Sequence, residues 1–278
     1  MKSLSAAQVS ELEARARRTR QQVLEMFAIA GGGHFGGSLS VVEILVTLYG
    51  AVLRVDPTNP KWPDRDRLVL SKGHAGGTFC AVLANAGFFD DALLETFNRL
   101  DSPFGMHPDM HKIPGCDMSS GSLGHGLAVG IGMALAGRAD GKDYRVYVVM
   151  GDGECQEGTV WEAAMTAAHL KLDSLTAVVD RNRLSLDGRT EELNALEPLA
   201  ERWRAFGWHV VEVDGHNVSE IYRGIQEAHA TRGRPTVLLA HTIKGKGISF
   251  MEDTHQFHYA VLSTEQLEAA RAELGRGS

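Results

Sequence analysis

Cysteine is scarce in this chain. Cys80, Cys116 and Cys155 are three among 278 residues, an odd number without metal-site spacing. That sets a cysteine metal site aside and fits a reducing cytosol, where thiols act as small core residues. A cytoplasmic location is the expectation. Aromatic residues make up only 7%. No apolar run approaches the roughly 18 residues of a membrane-spanning helix, and the N-terminus lacks the apolar core of a secretory signal. Positive charge is outweighed: the net charge is −7, which argues against a nucleic-acid surface. Two nucleotide-binding patterns are absent as well. No G-x-G-x-x-G follows the first strand-like run, and the segment from His241 to Gly247 lacks the G-x4-G-K-[S/T] arrangement of a phosphate-binding loop.

What is present points to an α/β fold. Apolar residues reach 44%, enough for one large domain or two small ones, and 31 glycines allow tight turns and close backbone approaches. The stretch from Val146 to Leu186 organises the rest. An apolar, β-branched run from Tyr144 to Met150 reads as a buried parallel strand. Gly151-Asp152-Gly153 breaks it, and a helix follows over roughly Glu157 to Leu172. A second run, Leu175 to Val179, ends in Asp180-Arg181-Asn182. In a parallel sheet Asp152 and Asn182 then fall on one edge, at the carboxyl ends, where ligands of open α/β sheets bind.

The chemistry of that edge follows from the donor types. A carboxylate and a carboxamide are hard oxygen donors, too few to enclose an ion. Mg²⁺ takes its remaining oxygens from phosphates and water. Asp152, Asn182, a main-chain carbonyl near Leu184, two diphosphate oxygens and one water make six. The glycines beside Asp152 let backbone approach a phosphate closely. A Mg²⁺–diphosphate site is the reading.

The flanking chain repeats the rhythm. Residues 5–30 read as a helix, with Ser5 and Gln8 as a capping box. Ser40 and Glu43 read as a second capping box before a buried helix. A short strand, Leu68 to Ser71, runs into Ser71-Lys72-Gly73-His74-Ala75 and a helix to Leu83; a histidine there can donate to a diphosphate oxygen with help from the helix N-terminus. Asp90 to Asn98 is a short acidic helix. Residues 119–126, Ser-Ser-Gly-Ser-Leu-Gly-His-Gly, open another. After Asn182, a helix over Leu196–Phe206, a strand over Trp208–Val213, a helix over Val218–Thr231 and a strand from Pro235 to His241 alternate, and Ser263 with Gln266 caps a last helix, about 263–275. This implies a doubly wound, mostly parallel sheet flanked by helices, as a single domain over 1–278 with a helical extension about 1–30.

GDG, then 28 residues, then Asn resembles the thiamin diphosphate signature, and GDGECQEG…WEAA…HLKLDSL…VVDRN resembles transketolase in particular. HFGGSLS, with Phe35 in place of the family's proline, SKGHA, GMHP, GSLGHG and HTIKGKG resemble further elements of that family, so the resemblance covers essentially the whole chain. It implies thiamin diphosphate and Mg²⁺ (or Ca²⁺ or Mn²⁺) as cofactors. Asp152, Asn182 and the Leu184 carbonyl hold the ion. His74, Gly121, Ser122, Leu123, Gly151, Gly153, Glu154, Leu186 and His255 bear on the cofactor, beside Asp152 and Asn182. His34, His74, His107 and His255 serve as catalytic imidazoles, able to exchange protons near neutrality in both directions. Glu157 and Glu162 bear on a subunit interface. His125 stands where the family commonly has Gln, and His125, His258 and Cys155 are left without a role.

The resemblance reaches only the first half of a full transketolase. The missing half supplies the pyrimidine-binding domain, its catalytic glutamate and the phosphate-binding arginines. The expectation is therefore a split enzyme, an α2β2 assembly with a separate C-terminal subunit, transferring a two-carbon ketol unit from a ketose phosphate to an aldose phosphate. The alternatives are a subunit of another thiamin diphosphate enzyme, a 2-oxo acid decarboxylase or dehydrogenase E1 component, or a noncatalytic assembly subunit. A nucleotide-binding Rossmann protein ranks below them, and neither nucleic acid nor membrane is an expected partner.

Overall fold

The computed structural model describes residues 3–275; the expected domain limits at 1 and 278 lie outside the described residues. Helix α1 (Ala6–Ala30) opens on the Ser5–Gln8 capping box: Gln8 N donates to Ser5 Oγ at 3.3 Å and Ser5 N to Gln8 Oε1 at 2.9 Å. It ends at Gly31, whose φ of 74° is left-handed backbone that glycine adopts without strain. Helices α2 (Phe35–Ser40) and α3 (Val42–Thr47) follow, buried throughout. The Ser40–Glu43 capping box does not form. The Ser40 hydroxyl donates to Asp180 Oδ2 at 2.6 Å, and Glu43 takes both arms of the Arg20 guanidinium at 2.6 and 2.7 Å. A buried carboxylate needs a cation more than a helix start needs a cap.

Five strands form one sheet: β1 (Arg67–Leu70), β2 (Val146–Gly151), β3 (Leu175–Arg181), β4 (His209–Asp214) and β5 (Thr236–His241). Their order is β1-β2-β3-β5-β4, and every pairing is parallel. β2 and β3 are buried along their whole length, the pattern of strands covered on both faces. Alternate residues feed two cores, as the pleat requires. Tyr147, Val149 and Val178 join α1, α3, α4 (Gly76–Asn85) and α9 (Val218–Ala230) on one face. Val146, Val148, Ala177 and Val179 join α5 (Gly126–Ala139), α6 (Gly158–His169) and α8 (Leu199–Ala205) on the other. The layers are helix, sheet, helix: the doubly wound arrangement the alternation predicts.

Local departures have local causes. α8 starts at Leu199 rather than Leu196, because Pro198 disfavours helical backbone at Glu197. A short helix, α7 (Thr190–Leu193), precedes it without a sequence signal. The acidic segment forms a 3₁₀ turn over Asp91–Thr96, capped by the Asp90 side chain. The last helix, α10 (Thr264–Gly275), carries the Ser263–Gln266 capping box at 3.0 and 3.2 Å.

Candidate active site at four strand ends

Because the strands run one way, their carboxyl ends share an edge. The ends of β1, β2, β3 and β5 line one cavity of about 270 Å³ there. β1 delivers Lys72 and His74, β2 delivers Gly151-Asp152-Gly153, β3 delivers Asn182 and Leu184, and β5 delivers Lys244. The register explains the pairing of Asp152 with Asn182. Gly151 lies opposite Asp180, which sets Asp152 level with Arg181 and Asn182 one residue further along the same edge, where both line the cavity. A larger cleft of about 430 Å³, near Lys61 and His111, shares none of these residues.

Asp152 is 1% exposed, and burial pushes its pKa above the ordinary carboxylate value against the pull of Arg181. Asn182 is buried, and its Oδ1 accepts a hydrogen bond from Leu184 N at 3.1 Å. The Leu184 carbonyl accepts one from Lys244 Nζ at 3.1 Å. Among the described residues no three His, Cys, Asp or Glu side chains are grouped as a metal cluster. One carboxylate, one carboxamide and one carbonyl fit a hard cation that draws its other oxygens from a ligand and water. The buried ammonium groups of Lys72 and Lys244 and the imidazole of His74 provide matching donors for an anionic ligand in the same cavity.

Histidines gather above this floor. His34 lies 5.7 Å from His74, 5.9 Å from His107 and 5.6 Å from His258, ring centre to ring centre, and His74 and His258 stack at 5.2 Å. Burial, with the charges of His107 and Lys244, lowers His34 to about 4, and its Nδ1 is buried without a partner among the described residues. Burial likewise holds His74 well below the usual imidazole value and, with Lys244 and His34, brings His258 to about 3. These rings are neutral at pH 7. The two histidines of the last loop are placed differently: His255 is exposed and does not line the cavity, whereas His258 lines it and accepts from Lys244 Nζ at 3.0 Å. Two histidines three residues apart cannot be told apart by pattern in an irregular segment; the fold turns the second one inward.

The other expected residues fall in and around the same cavity. The Glu154 carboxylate, 2% exposed, accepts from the Ser71 hydroxyl, from Gly124 N at 2.9 Å and from Gly151 N at 3.1 Å. It lines the cavity and also braces the segments it bonds. Gly121 and Ser122 are exposed and do not line the cavity, while Leu123 does. The helix they precede starts only at Gly126. Glu157 borders the cavity and Glu162 lies on α6, both exposed; Leu186 borders the cavity at 54% exposure. Of the residues without a role, Cys155 is fully buried, its thiol pushed well above its ordinary pKa by burial, and packs as core. His125 is exposed, bonded to Leu123 O at 3.0 Å.

Sequence reasoning missed Lys72, Lys244 and Arg181. Lys72 pairs with Asp180 in full burial. Lys244, lowered to about 8 chiefly by burial and then by Lys72, donates to Leu184 O, Ser185 O and His258. One signal was available: a lysine just past the apolar run that ends at Leu70 lies where solvent is scarce.

Residues 13–277 match the family described as transketolase, thiamine diphosphate binding domain. The chain is 47% identical over 264 residues to a 6-deoxy-6-sulfo-D-fructose transketolase subunit from a Clostridium species, covering 95% of this chain and 96% of that one. It is 42% identical over 267 residues to an apulose-4-phosphate transketolase subunit of Phocaeicola vulgatus, at 96% and 95% coverage. The crystal structure of a Pichia stipitis transketolase complexed with sedoheptulose-7-phosphate superposes with a TM-score of 0.90 at 31% identity, over 95% of this chain and 40% of that one.

Proposed function

This chain belongs to the transketolase family, as its thiamine diphosphate binding domain, and we propose that it supplies the diphosphate half of a two-chain active site. The relatives that match along nearly their whole length are themselves named as subunits. That supports a split transketolase whose second subunit brings the pyrimidine-binding domain and its glutamate, in an α2β2 assembly with Glu157 and Glu162 toward the interface. The two subunit relatives are named for a sulfonated and a phosphorylated sugar, which supports a ketose bearing a phosphate or sulfonate as donor. Among the described residues no helix is long and apolar enough to cross a membrane. The three cysteines are free and buried, which supports work in a reducing cytoplasm.

The observation that carries this reading is the meeting of Asp152, Asn182, Lys72, Lys244, His74 and His258 around one cavity at four strand ends. Asp152, Asn182 and the Leu184 carbonyl hold the ion, Mg²⁺ or another hard divalent cation. Lys244, His74 and His258 face the diphosphate. When bound, thiamin diphosphate supplies a nucleophilic thiazolium carbon for two-carbon transfer. His34, neutral and with a free Nδ1, and His107 orient substrate hydroxyls and pass protons at those oxygens. Leu123 and Leu186 flank the cofactor and keep water from it.

Calorimetry with thiamin diphosphate and Mg²⁺, on the chain mixed with its partner subunit, tests cofactor use. A ketose donor with ribose 5-phosphate then tests ketol transfer. Release of carbon dioxide from a 2-oxo acid, without transfer, reassigns the pair to the decarboxylases; no binding at all removes the enzyme reading.

A further inference from the structure

The carboxylate at the tip of β2 is held unequally. Asp152 Oδ2 accepts from Arg181 Nη1 at 2.9 Å and from Arg183 N at 2.5 Å, while Oδ1 accepts from Gly153 N at 2.8 Å. Arg181 directly precedes Asn182 on the chain, and its side chain is only 2% exposed. The same guanidinium also donates from Nη1 to Thr190 Oγ1 at 2.9 Å and from Nη2 to Glu191 Oε1 at 3.0 Å and Glu197 Oε1 at 2.8 Å. Those two acids are fixed in turn by backbone. Glu191 accepts from Leu196 N and Glu197 N, both at 3.2 Å, and Glu197 from Leu199 N at 2.8 Å, at the start of α8.

We propose that Arg181 is a positioning residue that ties the ion affinity of Asp152 to the segment 190–199. With Oδ2 bound by two donors and Oδ1 by one, the carboxylate's orientation is fixed, and Oδ1 is the less engaged oxygen, the one more open to an ion. The rigid, planar fork of arginine can reach a carboxylate on one strand end and two more on the following segment at once; lysine, a point charge, cannot. The guanidinium also places a positive charge beside the ion, and Glu191 and Glu197 offset it. The segment 190–199 therefore acts on the site without lining it. Partners of metal ligands elsewhere change affinity by about 10- to 100-fold when replaced.

This inference rests on the function proposed above, and the test separates the two. Mn²⁺ is titrated into the native complex of the chain with its partner subunit, in the presence of thiamin diphosphate, and free ion is followed by electron paramagnetic resonance. Arg181→Lys weakens Mn²⁺ binding about tenfold or more, and Arg181→Met weakens it further. The double variant Glu191→Gln/Glu197→Gln, altered on partly exposed side chains, leaves the guanidinium charge uncompensated and weakens it about two- to fivefold. If the Arg181 variants do not fold, the double variant decides alone. Affinities within experimental error of native in folded variants overturn the proposal. A native complex that binds no Mn²⁺ instead refutes the family reading on which the proposal stands.

Discussion

Lys72 and Asp180 form an ion pair between the ends of β1 and β3, two strands that are not neighbours. The ammonium reaches past the tip of β2, where glycine, Gly151, lies opposite Asp180. Ser40 and Thr242 complete the carboxylate's shell. The pair thus fastens two strand ends, α2 and the loop after β5 beside the cavity.

Breaking that pair is costly. Asp180→Asn leaves a buried ammonium without its anion and lowers stability by about 3–5 kcal/mol, read from denaturant unfolding at pH 7. Burial alone raises the Asp180 pKa, but Lys72 and the hydrogen bonds from Lys72, Ser40 and Thr242 bring it below the ordinary 3.8. A carboxylate lowered on folding stabilises above its unfolded value, and the gain is lost as pH falls toward the lower folded one. The variant therefore loses part of the native acid limb below pH 3.8. A variant as stable as native at pH 7 contradicts this account.

Acid weakens the histidine cluster at higher pH. His34 and His258 sit at about 4 and 3 when folded, against 6.5 for a free imidazole. Between these values the unfolded chain binds more protons, so stability is full above about pH 6.5 and declines as pH falls from there toward about 4. The urea midpoint of native protein drops between about pH 7.5 and about pH 5, and His34→Gln/His258→Gln flattens the drop. Equal drops in both proteins exclude these two rings as its source.

The two histidines of the last loop are separable by mutation. His258→Ala removes a ring stacked on His74 and bonded to Lys244, and lowers thiamin diphosphate affinity about tenfold or more. His255→Ala, on an exposed ring, leaves affinity and turnover within about twofold. The reverse pattern in calorimetry restores the sequence-based choice of His255.

Asp152→Ala abolishes ion-dependent retention of the cofactor while the fold persists. Arg181 keeps Thr190, Glu191 and Glu197 as partners, so the cost to stability is about 1–3 kcal/mol. Calorimetry and thermal melting of one preparation check both halves; cofactor retained in the variant refutes the assignment of Asp152 to the ion.

Strand ends were legible in the sequence because a parallel strand needs only a local pattern: an apolar run, then glycine or a polar residue. Gly151-Asp152-Gly153 and Arg181-Asn182 were found that way, and register in the sheet brings their ends together. Capping boxes at Ser5 and Ser263 were legible for the same reason, since their partners lie three residues away. The one at Ser40 was not, because Asp180 and Arg20, far along the chain, claim both of its side chains.

The sequence by itself determined the alternating fold and the strand-end edge at which Asp152, Asn182 and Leu184 line one cavity. Only the tertiary structure decided which histidine turns inward, that Lys72 and Lys244 lie buried beside the cavity, that Glu154 is a brace, and that Arg181 joins Asp152 to the segment after Asn182. Those choices depend on which charge finds which partner once water is excluded. Partners separated by tens or hundreds of residues leave no trace in any local spacing.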